Sequence, residues 1–262
     1  MGRAARRLSS RGARRRRAPA LQPDLREGAV RVAIHQPQYL PWLGYLAKWA
    51  AADLFVFLDT VQYEKNGWQN RNRIKTADGA RWLTVPVHAH LGTRVAEVSL
   101  DVDQPWAKRH LRAIETAYGA APYWRAQRDE LARLYARPWE RLAPLTAASA
   151  EWLARAAGVT TPSRPASSLA VDDDDPTGRL VALCLAVGAD TYLAGGHGAR
   201  YMDAKRFTEA GIRVLYQAYA HPVYAQQHGD FVPFLSGLDL LLMHGDESLA
   251  ILRRGDAWTE EP

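Results

Sequence analysis

Cysteine is nearly absent. Cys184 is the only one in 262 residues, so an internal disulfide and a Cys-rich zinc site are both excluded. A reducing, cytoplasmic compartment suits such a chain. Cys184 lies in the apolar helical face of residues 180–187, which reads as a buried structural thiol and not as a nucleophile. Long apolar runs are missing too: none approaches the ~18–20 residues that span a membrane. There is no internal repeat of fixed period. Acidic residues are scarce at the start, where residues 1–31 hold ten Arg against Asp24 and Glu27. The whole chain has 34 basic and 28 acidic residues, so the part after residue 31 keeps 24 basic and 26 acidic, a net of −2. The folded body is therefore not basic, and nucleic acid is not its expected partner. Residues 1–30, without apolar periodicity, read as a disordered Arg-rich tail. Its Arg pairs lack the apolar segment of an export signal. Deleting residues 1–28 should leave the melting temperature within ~2 °C.

What is present is concentrated in residues 31–75. Val32-Ala33-Ile34 is a short apolar run ending in His35. A polar-aromatic loop, Gln36 to Trp42, follows. Leu43, Leu46, Trp49 and Ala50 recur at helical spacing, and Leu54 to Leu58 is a second apolar run ending near Asp59. This is the order of a parallel βαβ unit. Ligands in such units sit beyond the carboxyl ends of the strands, where His35 and Asp59 both fall. Residues 61–75 are too polar for a core and too rich in Trp, Tyr and basic groups for a passive loop. Asp78-Gly79 separates Arg73-Ile74-Lys75 from the run Trp82 to Val87, the pattern of a hairpin. On its first arm Arg71, Arg73 and Lys75 would share a face. His88 and His90 follow at strand spacing, with no third ligand to make a metal site. Residues 95–98 suggest one more short strand.

From Trp106 the period becomes helical, giving three helices over about 105–158. Residues 160–178 read as a connection. Its Asp172–Asp175 run lacks the glycine and closing Glu of a calcium loop and suits a solvated stretch that caps the next helix. A second βαβ-like unit follows: a helix to Val187, a strand at 190–194, the turn Gly195-Gly196-His197-Gly198, a helix from Tyr201 to Ala210 and a strand at 212–216. The glycine turn could cradle an anion but is neither a Walker loop nor GxGxxG. Residues 219–229 are polar-aromatic again. The run Phe231 to Met243 reads as one buried helix in which Asp239 needs a partner. The fold expected is α/β: a mostly parallel Rossmann-like sheet with a helical insertion and a hairpin. It forms one domain over 31–250, with a C-terminal tail at 251–262. His35, Asp59 and the 195–198 turn should share one edge of the sheet.

The segments HQPQYLPWLGYLAKW, DLFVFLDTVQY, WQNRNRIK, WLTVPV, TYLAGGHGARYMD, FTEAGIRV and YAQQHGDFVPFLSGLDLL together resemble the WbqC-like proteins of bacteria, over roughly residues 31–245. Glu64-Lys65-Asn66-Gly67 departs from the more basic or Ser-containing form associated with that position. The resemblance implies a gene-cluster context of surface glycans or specialised metabolites. It therefore implies a cytoplasmic transferase that moves an acyl or aminoacyl group to an amino sugar or related amine. Nucleotide sugars, or an acyl or aminoacyl carrier protein, would then be partners, and no cofactor or metal is called for. The opening is also distantly similar to nucleotidyl- and adenylyl-transfer folds of the HUP type, although the second His of those sites is replaced by Pro41 to Tyr45. A non-catalytic binding or scaffold protein is the third alternative.

Amide or ester formation needs a base and oxyanion donors. His35 is the candidate base, with Asp59 to orient it or to bind a hydroxyl. Candidate substrate-binding residues are Gln36, Tyr39, Trp42, Tyr45 and Lys48 in the first unit, and Gln62, Tyr63, Trp68, Gln69, Asn70, Arg71, Asn72 and Lys75 around the hairpin. Gly195, Gly196, His197 and Tyr201 come from the glycine turn, and Tyr224, Gln226 and Asp239 from the C-terminal part. Trp42 and Trp68 could stack on a sugar or base, and the basic face on a pyrophosphate. If these polar groups serve a ligand, Asn70→Ala and Arg71→Ala should spare stability.

Overall fold

The structure, a computed structural model, describes residues 28–260 other than His197 and Tyr201. The expectations for residues 1–27 and for those two side chains lie outside the described residues. In chain order the elements are β1 (Arg31–His35), α1 (Leu43–Ala51), β2 (Leu54–Phe57), β3 (Arg71–Thr76), β4 (Gly79–Thr84), β5 (Val87–His88) and β6 (Ser99–Leu100). Then come α2 (Trp106–Tyr118), α3 (Trp124–Ala136), α4 (Leu142–Ala156), β7 (Ser163–Pro165), α5 (Pro176–Ala186), β8 (Thr191–Ala194), α6 (Ala204–Glu209), β9 (Arg213–Gln217), α7 (Gly237–His244), α8 (Ser248–Arg254) and β10 (Trp258–Thr259).

Six strands form one sheet in the order β10-β9-β8-β1-β2-β7. All neighbours are parallel except β10, which runs antiparallel to β9. From β1 the chain first builds outward through β2 to β7, then returns to the other side of β1 to lay down β8 and β9. The reversal puts a topological switch point between β1 and β8, the crevice where open α/β sheets take their ligands. His35 ends β1 and Ala194 ends β8, so His35 and the glycine turn share the edge expected of them.

The strands are apolar on both faces because helices cover both. Ala33, Phe55, Phe57, Leu193 and Leu215 point into one core, with α1, the α2–α4 bundle and α7. Val32, Ile34, Val56, Tyr192 and Tyr216 point into the other, with α5 and α6. The alternation follows the two-residue period of a strand. Trp49 of α1 stacks on Phe55 at 4.4 Å and meets Phe57 edge-on at 5.3 Å, contacts worth about 0.5–1.5 kcal/mol each beyond area burial. Cys184 is buried in the second core, and burial pushes its thiol up to about 12. Asp175 caps α5 by accepting from Gly178 N at 2.6 Å, with Pro176 at the first helical position, which accounts for the end of the acidic run.

Several boundaries differ from the sequence expectation. The 160–178 connection contains β7, a three-residue edge strand paired with β2. The tail expected at 251–262 is structured where it is described, up to residue 260: α8 runs to Arg254, and Trp258 of β10 is 2% exposed. Where a strand was expected at 95–98, Val95–Glu97 forms a 3-10 turn. The run from Phe231 is helical only from Gly237, where Ser236 Oγ accepts from Leu238 N. Pro233 and the left-handed Phe234 (φ 59°) precede it. α6 begins at Ala204, capped by Asp203, and not at 201. The hairpin is as expected, with Thr76 facing Gly79 across the turn.

Candidate functional site

Three elements meet at the switch crevice. β1 delivers His35, α1 delivers Lys48 and β8 delivers Gly195-Gly196. The α1 face turned to the sheet is apolar apart from Lys48, which is 2% exposed. Its Nζ donates to Ile34 O at 3.3 Å and has no acidic partner among the described residues. A Cβ on Gly195 would lie 3.9 Å from that Nζ, and one on Gly196 would come within 2.7 Å of Gln217 O. The glycine turn is therefore drawn tight against both the ammonium and the end of β9. Burial alone, with no counter-ion, lowers the Lys48 pKa from 10.5 to about 7.

His35 is half-buried. Its Nδ1 donates to Gln36 O at 3.1 Å, which leaves Nε2 as an acceptor, the tautomer a general base needs. Desolvation, helped by the nearby Lys48 charge, lowers its pKa to about 3. The shift keeps the ring neutral. Tyr45 stands edge-on to it at 4.8 Å and donates to Gln36 O at 3.3 Å.

Asp59 does not orient His35. Its oxygens accept from Ser167 N at 2.9 Å and Ser167 Oγ at 2.7 Å, tying the end of β2 to the segment after β7. The hairpin's polar run is likewise spent largely on backbone. Asn72, 1% exposed, donates to Leu40 O at 2.7 Å and accepts from Arg73 N at 2.8 Å. That bond pins Leu40, a buried leucine held left-handed at φ 43°, a conformation such a residue keeps only under outside constraint. Asn70 donates to Val85 O at 2.8 Å, and Arg71 bonds Gly67 O and Asn66 O. The expectation that Asn70→Ala and Arg71→Ala spare stability is therefore corrected: both side chains hold the hairpin base. Lys75 is buried and donates to Gly229 O and Asp230 O, so it does not share an exposed basic face with Arg71 and Arg73. Those two stand over Trp82, with guanidinium carbons 4.3 and 5.7 Å from the ring centroid, and Trp68 packs against Trp82 at 5.3 Å with the rings tilted by 43°.

Gln69 bridges the two regions. It donates to Gln36 Oε1 at 2.9 Å and accepts from Glu64 N at 2.9 Å, so the loop after β1 and the loop before β3 form one polar wall. A cleft of ≈ 970 Å³ opens beside the hairpin, lined in part by Gln62, Tyr63, Asn70 and Arg71. The switch crevice, and not this cleft, holds Lys48 and His35, each with only a backbone carbonyl for a hydrogen-bond partner among the described residues.

Other candidates serve the scaffold. Tyr39 is fully buried and donates to His110 Nδ1 at 2.9 Å, while His110 Nε2 donates to Thr84 O at 3.2 Å. Trp42 lies across Gly44 and packs on Tyr219 and Phe234. Asp239, fully buried, accepts from Tyr118 at 2.8 Å and Tyr224 at 2.9 Å, its pKa raised by burial. Gln226 exchanges two bonds with Val232. Among the described residues no group of three or more His, Cys, Asp or Glu side chains could hold a metal ion. Sequence reasoning passed over Asp101 and Gln104, which line the cleft from the β6–α2 connection and carry no local motif.

The family described as "WbqC-like protein family" matches residues 36–251. The uncharacterized protein Rv1507c of Mycobacterium tuberculosis (strain ATCC 25618 / H37Rv) is 37% identical over 228 residues, 85% of this chain and 97% of that one. No solved structure matches.

Proposed function

The chain belongs to the WbqC-like protein family, and from that premise we propose that it is a transferase acting at the β1/β8 crevice. It moves an acyl or aminoacyl group from a phosphate-bearing donor to an amine. The observation that carries this is Lys48, a buried ammonium at the switch point whose one partner among the described residues is a backbone carbonyl. An unpaired buried cation is costly, and an anionic ligand supplies the missing partner. The donor fits as an acyl nucleotide or as an acyl group on the phosphate-linked arm of a carrier protein. The amine nitrogen attacks the acyl carbon, the N–C bond forms, and the donor's C–O or C–S bond breaks. His35 Nε2 takes the proton the amine loses and returns it to the leaving group. Anionic phosphate beside Lys48 and His35 raises both pKa values, moving His35 toward the neutral range where a base works best.

The test is product formation. Nucleotide amino sugars and carrier-bound acyl groups are incubated with the protein and the mixture read by mass spectrometry. His35→Ala should abolish turnover by at least about 100-fold while donor binding persists. Lys48→Met should abolish donor binding. Undiminished product formation by His35→Ala would remove His35 from the chemistry, and unchanged donor affinity in Lys48→Met would remove the crevice from the site.

A further inference from the structure

The cleft beside the hairpin has one polar and one apolar wall. The apolar wall is Val85-Pro86-Val87 with Ala89 and Leu91, and Leu91 is 96% exposed. On the polar wall Asn70 is 6% exposed. Its amide nitrogen is committed to Val85 O, which fixes the group, while its Oδ1 has no hydrogen-bond partner. A buried acceptor left unmade costs about 1–3 kcal/mol, and such atoms persist in native proteins where something else satisfies them. Asp101 presents a second acceptor: Oδ2 accepts from Gln104 at 2.6 Å, while Oδ1 faces the exposed His88 ring at 3.9 Å. Arg71, on the same wall, is already bonded to Asn66 O and Gly67 O, and the other basic side chains of the lining, Lys65, His88 and His90, are exposed. The fixed, unspent groups of this wall are thus acceptors.

We infer that this cleft binds a small aminated polyol, of the amino-sugar class, with its N–H and O–H donors on Asn70 Oδ1 and Asp101 Oδ1 and its C–H face against the Val85–Ala89 wall. A pyranose has that polarity, with a polar edge and an apolar face, and the volume lies within the range of small-molecule sites. The ligand is the acceptor of the transfer proposed above. That role rests on the transferase reading, whereas binding does not. Gln69, bonded to Gln36 on one side and neighbouring Asn70 on the other, joins the cleft to the His35 loop.

The experiment titrates D-glucosamine, with D-glucose as the uncharged control, into the full chain and follows backbone amide shifts by NMR. D-glucosamine should move the amides of residues 62–63 and 85–90, and should bind at least about tenfold more tightly than D-glucose, the margin of one charge-assisted contact. Asp101→Asn keeps the shape of the wall and should weaken D-glucosamine about tenfold with little effect on D-glucose. Asn70→Ala, checked by its melt, should weaken both. Equal affinity for the two sugars, unchanged D-glucosamine binding in Asp101→Asn, or shifts centred elsewhere would overturn the inference. Lys48→Met separates the two claims. It should lose donor binding and keep D-glucosamine binding, so a failure in the cleft leaves the crevice standing, and the reverse.

Discussion

Replacing Lys48 by Met should make the protein more stable and inactive at once. The ordinary lysine pKa of 10.5 falls to about 7 here, by burial alone. Each tenfold change in proton affinity is worth about 1.4 kcal/mol, so at pH 6 the buried charge costs on the order of 5 kcal/mol. The sign follows from proton counting. Between pH 7 and 10.5 the unfolded chain keeps the lysine proton and the folded chain does not, so stability rises with pH across that window by about 1.4 kcal/mol per unit. Methionine fills the same stem volume without charge and removes that slope. Urea denaturation of parent and variant from pH 6 to 9 reads both quantities, and stays below the range where the buried tyrosines, whose pKa values burial raises, begin to matter. The variant should exceed the parent by up to about 5 kcal/mol at pH 6 and by progressively less toward pH 9. Calorimetry in buffers of differing ionisation enthalpy should show the parent taking up as much as one proton on binding a phosphorylated donor near pH 8. Parallel stability profiles, or a variant weaker than the parent at pH 6, would refute the reasoning, because they require Lys48 to have a partner that stabilises its charge.

Asn72→Ala should cost about 2–3 kcal/mol in chemical denaturation, since it orphans buried backbone groups and releases left-handed Leu40. Gly196→Ala should lose about 1–3 kcal/mol, because its Cβ would meet Gln217 O at 2.7 Å; a melt as high as the parent's would show that the turn has room to move. His110, whose pKa burial lowers to about 4, should remove up to about 3 kcal/mol as pH falls from 6.5 through 4. His110→Gln should flatten that acid limb relative to the parent.

The βαβ opening was legible because its signals are local and redundant: three buried residues in β1, helical spacing in α1 and an aromatic-rich β2. The edge strands were not. Ser163-Arg164-Pro165 and Trp258-Thr259 belong to the sheet through main-chain pairing, and a strand of two or three residues has no period to detect. The Phe231 run misled for the opposite reason: its composition is that of a buried helix, but Pro233 and the backbone reversal at Phe234 delay the helix to Ser236, where the hydroxyl supplies the cap.

The site was half legible, and the reason is chemical. A dense run of Asn, Gln and Arg signals groups that must be satisfied, but an amide serves a backbone carbonyl as readily as a ligand. In the fold many of these groups are already spent. Asn72 goes to Leu40, Lys75 to the 229–230 loop, Asp59 to Ser167 and Asp239 to two tyrosines. Left over at the two sites are Lys48 Nζ, with one carbonyl for a partner, His35 Nε2, Asn70 Oδ1 and Asp101 Oδ1, which faces His88 at 3.9 Å. The first two lie at the switch point and suit an anion and a proton in transit. The last two lie in the adjoining cleft and suit a donor-rich acceptor. Each half of a two-substrate site thus keeps the polarity its own substrate lacks, and Gln69, bonded to Gln36 beside Asn70, is the hinge between them. Gln69→Leu should therefore leave donor binding at Lys48 and D-glucosamine binding in the cleft each within about threefold, while lowering the rate of transfer between them at least about tenfold, since misplacement of the reacting groups by about 1 Å is enough to cost that much. A variant that transfers at the parental rate would show that the two halves do not work through this bridge.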